Sequence, residues 1–238
     1  MDSKRSLLSI ILVDSELELV PKEFWSHPAV VTNARKRNKK SSRVLLDTNL
    51  HHSLFKDPVE RNRRGRPDIV HQFLLIGLES MLNIDGGLRL YVHTRNDEMI
   101  TISPETRLPK NYNRFQGLFE ELFRSGSVPN AENPLIRLKP SMDLVKVFEQ
   151  VTADGPDGAG IISLTLDPAG ERISAYEMMK TIGEGQNHLI CMVGGFPSGD
   201  FRSEPKRLSN REVSFHDKEL KAWSVEMELI SAFYNKVF

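Results

Sequence analysis

Residues 63–71 read Arg63-Arg64-Gly65-Arg66-Pro67-Asp68-Ile69-Val70-His71, and the reading of the whole chain turns on them. Three arginines, a glycine and a proline stand directly before an apolar helical run. The first N–H groups of a helix have no intrahelical acceptor, so a basic turn at a helix start suits an anion such as phosphate. Asp68 sits inside this basic group. Among arginines, an aspartate is either a helix cap or first-turn charge, or a working group.

The charge around this stretch is segregated. The 238 residues carry 32 basic and 32 acidic side chains, a formal net charge of zero. Between Arg35 and Arg66, however, eleven basic residues face three acidic ones, a local excess of eight. Segregated charge of this kind is the footprint of a polyanion partner even in a neutral chain; a solvated basic loop is the plainer reading. The composition, 39% hydrophobic and 27% charged, is that of a globular protein with material for a full core. No run approaches the ~18 apolar residues of a membrane span. Lys4 and Arg5 precede the apolar residues 7–13, but Asp14, Glu16 and Glu18 follow without a cleavage site, so no signal peptide is read there. One cysteine, Cys191, excludes an intramolecular disulfide framework and makes an intracellular home the default.

Outward from the turn, hydrophobic periodicity gives an α/β chain. Residues 7–13 read as a buried strand, 17–25 as a short amphipathic turn, 33–42 as a mobile basic loop and 44–47 as a second short strand. The helix after Pro67 ends at the turn residues 83–87. Residues 88–103 form a β-hairpin, read as an insertion, and Phe115, Leu118, Phe119, Leu122 and Phe123 mark one face of a helix stopped near Gly126. Residues 135–138 are a candidate strand, and Ser141 a candidate cap for a helix over 141–150. Two buried strands, 161–166 and 188–193, alternate with a short helix over 173–182. Leu220, Trp223, Met227, Ile230, Tyr234 and Val237 mark a last helix. No repeat or linker interrupts the chain, which reads as one α/β domain over 1–238.

Three loops fall at strand ends expected on one side of a parallel sheet, after Leu164, after Val193 and around residues 207–215. Ligands of open α/β sheets bind outside the carboxyl ends of the strands. Gly194, Gly195 and Gly199 let backbone approach a ligand closely, although a tight turn needs the same residues. The loop is not a P-loop, because Asp200 stands where the lysine is needed, and no G-x-G-x-x-G is present. The seven histidines show no ligand spacing, so no metal site is expected. Cys191 reads as a small core residue. Arg107, Lys110 and Arg114, interleaved with Tyr112 and Phe115, suit either stacking with unpaired bases or a charged face over core aromatics.

Residues 64–71 resemble the signature of the ribosome-biogenesis pseudouridine N1-methyltransferases of archaea and eukaryotes, the Nep/Emg type. So does Thr106-Arg107-Leu108-Pro109-Lys110-Asn111-Tyr112-Asn113-Arg114-Phe115-Gln116-Gly117-Leu118, and so do the glycine loop after Val193 and residues 220–223. The resemblance runs in order over nearly the whole chain. It implies a SPOUT-type sheet with a deep trefoil knot in the C-terminal half, and a homodimer acting on small-subunit rRNA and on ribosome assembly intermediates. The implied cofactor is S-adenosyl-L-methionine, with contacts at Leu164, Gly194, Gly199, Asp200, Phe201, Phe215, His216, Asp217, Lys218, Glu219 and Leu220. RNA contacts fall on Arg66, Arg107, Lys110 and Arg114. The short N-terminus resembles archaeal members, which implies a cytoplasmic place; a eukaryotic member would be nucleolar.

The sequence departs from the family twice. Lys110 stands where arginine is usual, keeping the charge without the bidentate fork. Residues 214–220 are more charged than the family's small and apolar set. The implied reaction needs the N1 proton of a pseudouridine removed and the nitrogen aligned with a methyl donor. Arg66 is the expected polarising group, with Asp68 orienting it; Asp68 as direct base is the other reading, and a carboxylate stabilised by arginines is a weak one. A non-catalytic rRNA-binding assembly factor is the rival function, which the basic stretch would serve equally well.

Overall fold

The computed structural model describes residues 6–183 and 185–237. Lys4 and Arg5, used above to read the N-terminus, lie outside the described residues. In chain order the elements are β1 (Leu7–Ser15), α1 (Pro28–Lys36), α2 (Thr48–His51), α3 (Pro58–Arg63), α4 (Pro67–Leu78), α5 (Met81–Ile84), β2 (Leu88–Thr94), β3 (Met99–Ile102), α6 (Tyr112–Ser125), β4 (Ser127–Val128), β5 (Ile136–Lys139), α7 (Leu144–Ala153), β6 (Ile161–Arg172), α8 (Ala175–Thr181), β7 (His188–Gly194), β8 (Arg211–Ser214) and α9 (Ala222–Val237).

All eight strands form one sheet, in the order β4-β5-β3-β2-β1-β7-β6-β8. The strands β2, β1, β7, β6 and β8 run parallel, so their carboxyl ends share one edge. A strand buried on both faces reads as a continuous apolar run, and every residue of β1 is buried. Leu8, Ile10 and Leu12 face the layer containing α4, α6, α8 and α9. Ile11 and Val13 face α7 through Leu144, Val147 and Val151. The 88–103 hairpin is woven into this sheet: β2 pairs along β1, with α4 as the crossover, while β3 pairs antiparallel to β2.

Four sequence expectations change. Residues 33–42 are not all loop: α1 reaches into them as far as Lys36, capped by His27, with Val30 and Ala34 buried one turn apart. Just beyond the helix, Glu120 of α6 takes Arg37 at 2.5 and 2.7 Å and also Lys39. Residues 44–47 form no strand; Val44, Leu45 and Leu46 are buried, but only an isolated bridge from Leu45 to Leu19 forms. Ser141 lies in the left-handed region at φ +58°, and Asp143 caps α7 instead, accepting from Lys146 N at 2.9 Å. The last helix starts at Ala222, after Leu220, and buries Glu226, Leu229, Ile230, Ala232 and Phe233 while Met227 is exposed. Of the expected stripe, Trp223, Ile230, Tyr234 and Val237 pack on the core, while the place of Met227 goes to its neighbour Glu226, a fully buried carboxyl.

Candidate active site at the strand ends

The carboxyl ends of β6, β7 and β8 open into a cavity of about 240 Å³. Gly194, Phe196, Gly199, Asp200 and Phe201 line it from the loop after β7; Leu166, Asp167 and Pro168 line it from β6. Phe215, His216, Lys218, Glu219 and Leu220 line it from the segment between β8 and α9, and Ala222, Trp223 and Val225 from α9 itself. Two expected cofactor residues do not. Leu164 is fully buried two residues before the point where β6 parts from β7, and side chains alternate faces, so Leu166 takes its place at the mouth. Asp217 points away and pairs with Arg172.

Glycine is needed here for space. A Cβ on Gly195 would lie 2.4 Å from Ser15 Oγ and 2.8 Å from Ser15 Cα, and Gly199 holds φ +85°. The loop is fixed from below by Asp14, at the end of β1. Asp14 accepts from the backbone N of Arg202 and Ser203 at 2.7 and 2.9 Å, and from the Ser203 hydroxyl at 2.6 Å. His93 stands beside it, and burial holds its imidazole below the ordinary value. Its Nδ1 accepts from the Asp14 N–H at 3.3 Å, the neutral arrangement.

Arg66 and Ile69, from the turn that opens α4, line the same cavity. The turn is held from three sides. Gly65 has φ +66° and its carbonyl accepts from Thr48 N at 2.8 Å. Arg66 N donates to Glu16 O at 2.9 Å. The guanidinium of Arg66 meets Asp68 in a two-point fork, Nε to Oδ1 at 2.8 Å and Nη2 to Oδ2 at 2.7 Å. No backbone N–H among the described residues donates to Asp68, so it caps nothing, although it sets a carboxylate in the first turn; Arg66 occupies the N-cap position without a side-chain cap bond. The hydrogen bonds that Arg66 donates to Asp68 raise its proton affinity above the usual value.

Arg63 and Arg64, two of the three arginines expected to serve an anion at this helix start, point inward. Arg63 is buried against Glu16 at 2.7 Å, and Arg64 meets both oxygens of Glu18 at 2.9 and 2.8 Å. Arg95 joins them, reaching Glu16 at 2.6 Å and Glu60 at 3.2 Å. Glu16, Glu18 and Glu120, distant in sequence, therefore offset part of the local positive excess. Arg35, Lys36, Lys40, Arg43, Lys56 and Arg61 remain exposed.

The segment with Arg107, Lys110 and Arg114 leaves all three side chains exposed. It is tied to α4 by His71 Nε2 and Pro109 O, 2.8 Å apart. Its aromatics are not stacking platforms. Phe115 is fully buried and stacked on His71 at 4.3 Å, and Tyr112 donates to Asp47 at 2.7 Å. Lys110 pairs with Glu79 at 3.0 Å, an exposed contact worth little in stability. Among the described residues no group of three or more His, Cys, Asp or Glu is placed to hold a metal ion, and no helix is long and apolar enough to cross a membrane. Cys191 is buried in β7, and burial pushes its thiol up.

A family model described as EMG1/NEP1 methyltransferase matches residues 10–234. The chain belongs to this family. It is 44% identical over 231 residues to the ribosomal RNA small subunit methyltransferase Nep1 of Methanothrix thermoacetophila, covering 97% of each chain. It is 45% identical over 227 residues to Nep1 of Thermococcus onnurineus, covering 95% of this chain and 98% of that one. The crystal structure of Archaeoglobus fulgidus Nep1 bound to S-adenosylhomocysteine superposes with a TM-score of 0.75 at 33% identity, covering 98% of this chain and 97% of that one.

Within this EMG1/NEP1 chain, Glu16, Glu18 and Asp14 are the site-building residues that sequence reasoning passed over. Their only local signal is an acidic cluster at the end of the first strand. Its meaning comes from arginines and loops brought near by the fold.

Proposed function

We propose that this chain is an S-adenosyl-L-methionine-dependent methyltransferase that modifies N1 of a pseudouridine in small-subunit rRNA, working as one domain. The observation that carries this reading is the shared cavity: Arg66 lines the same opening as the glycine loop after β7. Family membership and the S-adenosylhomocysteine bound by the Archaeoglobus relative support the donor. The donor set fits such a molecule. Val193, Phe196, Phe201, Leu220 and Trp223 offer apolar surface for a purine, and the turns at 194–201 and 214–221 bring backbone polar groups to the rim. When bound, the cofactor supplies an electrophilic methyl group.

The chain's own residues do the rest. Pseudouridine joins ribose through carbon and so keeps a proton on N1, which passes to solvent water as the N–C bond forms. Arg66 holds the base against the cavity, and its guanidinium beside a ring oxygen favours the deprotonated ring by charge proximity. Asp68 orients the guanidinium through the two-point fork. Alignment of the nitrogen with the methyl group can lower such a barrier by ~7–11 kcal/mol in favourable systems. Arg107, Lys110 and Arg114 bind the RNA strand beyond the reacting base.

The finer structural expectations belong to the same proposal. A trefoil knot is supported by the path after β8: it lines the cavity opposite the 194–201 loop, then α9 packs back on β1 and β7. A homodimer is supported by Met81, Ile84 and Met227, exposed at 63%, 75% and 55% on the adjoining helices α5 and α9. The proposal extends to action on ribosome assembly intermediates in the cytoplasm, in keeping with relatives named as small-subunit ribosomal RNA methyltransferases. The rival reading, an rRNA-binding assembly factor without catalysis, is separated by calorimetry with S-adenosyl-L-methionine. Micromolar binding is expected; no binding at millimolar cofactor would favour the rival.

A further inference from the structure

Arg63, at the end of α3, lies buried behind the cavity. Its Nε donates to Glu16 Oε1 at 2.7 Å. Its Nη1 donates to the carbonyl of Asp200 at 2.7 Å and lies 3.4 Å from that of Ser198. Its guanidinium carbon sits 4.0 Å above the Phe196 ring. Glu16 extends the link through its own backbone: its N–H donates to Gly195 O at 3.2 Å, and its carbonyl accepts from Arg66 N at 2.9 Å. One ion pair therefore grips the glycine loop at four residues and also anchors the turn that carries Arg66.

On the reading that this cavity takes the methyl donor, we propose that Arg63 is a positioning residue for it: with Glu16 it holds the 195–200 loop in its donor-binding shape and couples that loop to the RNA-holding turn. The loop has little else to hold it on the outer side, where Ser198, Gly199 and Asp200 are exposed. The left-handed Gly199 turns the chain so that the carbonyls on either side both reach one guanidinium nitrogen. A loop ordered in advance spares the donor the cost of ordering it. Arginine suits the post because its planar fork serves a carboxylate on one edge and carbonyls on another while a ring lies on its face. A lysine ammonium keeps the charge next to Glu16 without spanning these partners. Because Glu16 touches both Gly195 and Arg66, order imposed by the donor favours the RNA-binding turn, and by linkage the reverse holds equally.

The test uses the full chain and compares Arg63→Lys and Arg63→Met with wild type. Binding of S-adenosylhomocysteine is read by calorimetry. Affinity for an rRNA hairpin is read with and without that ligand. Wild type is expected to bind the ligand and to bind RNA more tightly in its presence. Arg63→Lys is expected to raise the ligand Kd by about tenfold, to leave RNA affinity without ligand within about twofold, and to abolish the gain. Wild-type ligand affinity in Arg63→Lys would overturn the proposal. So would an equal loss of RNA affinity without ligand, which marks general damage. If Arg63→Met does not fold, Arg63→Lys, which keeps the buried charge, decides alone. Failure of wild type to bind the ligand would overturn the donor reading itself, and the proposal with it.

Discussion

At the scale of single residues, the Arg66–Asp68 fork and the Arg64–Glu18 pair look alike but do different work. The first stands at the cavity rim, with a quarter to a third of each side chain exposed; the second is mostly buried. Asp68→Asn leaves the helix uncapped as before, since Asp68 caps nothing, but releases the guanidinium from its orientation. We expect methyl transfer to fall by about 10²-fold, the scale of a misplaced reacting group, with a thermal midpoint within a few degrees of wild type. If activity falls only as far as the folded fraction, the orienting role is wrong. Arg64→Ala is expected to do the opposite. It leaves Glu18 buried with a distant partner in Arg95 at 3.6 Å, and should cost about 3–5 kcal/mol of stability measured by denaturant. Donor affinity of the folded fraction should not change; a fall there would place Arg64 in the site.

Among the elements, α4 and α9 meet with unusual closeness, and a glycine makes that possible. A Cβ on Gly77 would lie 2.5 Å from both Glu226 Oε1 and Leu90 Cδ1. Gly77→Ala therefore overpacks the contact and is expected to destabilise by about 1–3 kcal/mol in urea unfolding; a neutral result would show that the helices separate freely. Glu226 is fully buried, neither carboxyl oxygen has a hydrogen-bond partner, and desolvation raises its pKa well above the ordinary value. The folded state then keeps a proton that the unfolded chain releases above about pH 4.5. By linkage, this group's contribution falls by about 1.4 kcal/mol per pH unit from there until the folded pKa is reached. Glu226→Gln removes that slope. The variant should match wild type near pH 4 and exceed it at pH 7–8 in unfolding free energy. Equal stability at both pH values would mean the carboxyl ionises without penalty. A periodic pattern treats glutamate as solvent-facing, so nothing in the sequence signals that Glu226, and not Met227, takes the core-facing place in α9. The strands β1, β2, β3 and β7, α4 and the aromatic face of α6 are legible because their apolar periods are regular, whereas the buried Glu120 of α6 is not. The helical part of 33–42 is not legible because the segment is polar and basic, and α1 buries only Val30 and Ala34.

For the whole molecule, the basic stretch that suggested RNA divides into charges turned inward and charges turned outward. Arg37, Lys39, Arg63 and Arg64 meet buried or half-buried glutamates. Arg107, Lys110 and Arg114 face solvent. Replacing Lys110 by alanine is expected to weaken hairpin binding and reduce the magnitude of its log–log salt slope by about 0.7–0.9, one phosphate contact. An unchanged slope would remove Lys110 from the interface. Composition alone could not sort these charges, since sorting them requires knowing which glutamates the fold delivers. The strand-end loops were legible as a site because a parallel sheet aligns its carboxyl ends, and Gly194, Gly199 and Phe215 fell there as expected. That Arg66, 128 residues before Gly194, lines the same cavity is the product of the crossover through α4 and of Glu16 pinning its turn. The proposed reaction rests on this meeting of Arg66 and the loop after β7. It is tested most directly by methyl transfer from S-adenosyl-L-methionine to two matched rRNA hairpins, one with pseudouridine and one with uridine at the target position. The account predicts transfer to the pseudouridine hairpin alone, lost in Arg66→Ala; equal transfer to both hairpins, or transfer indifferent to Arg66, would contradict it.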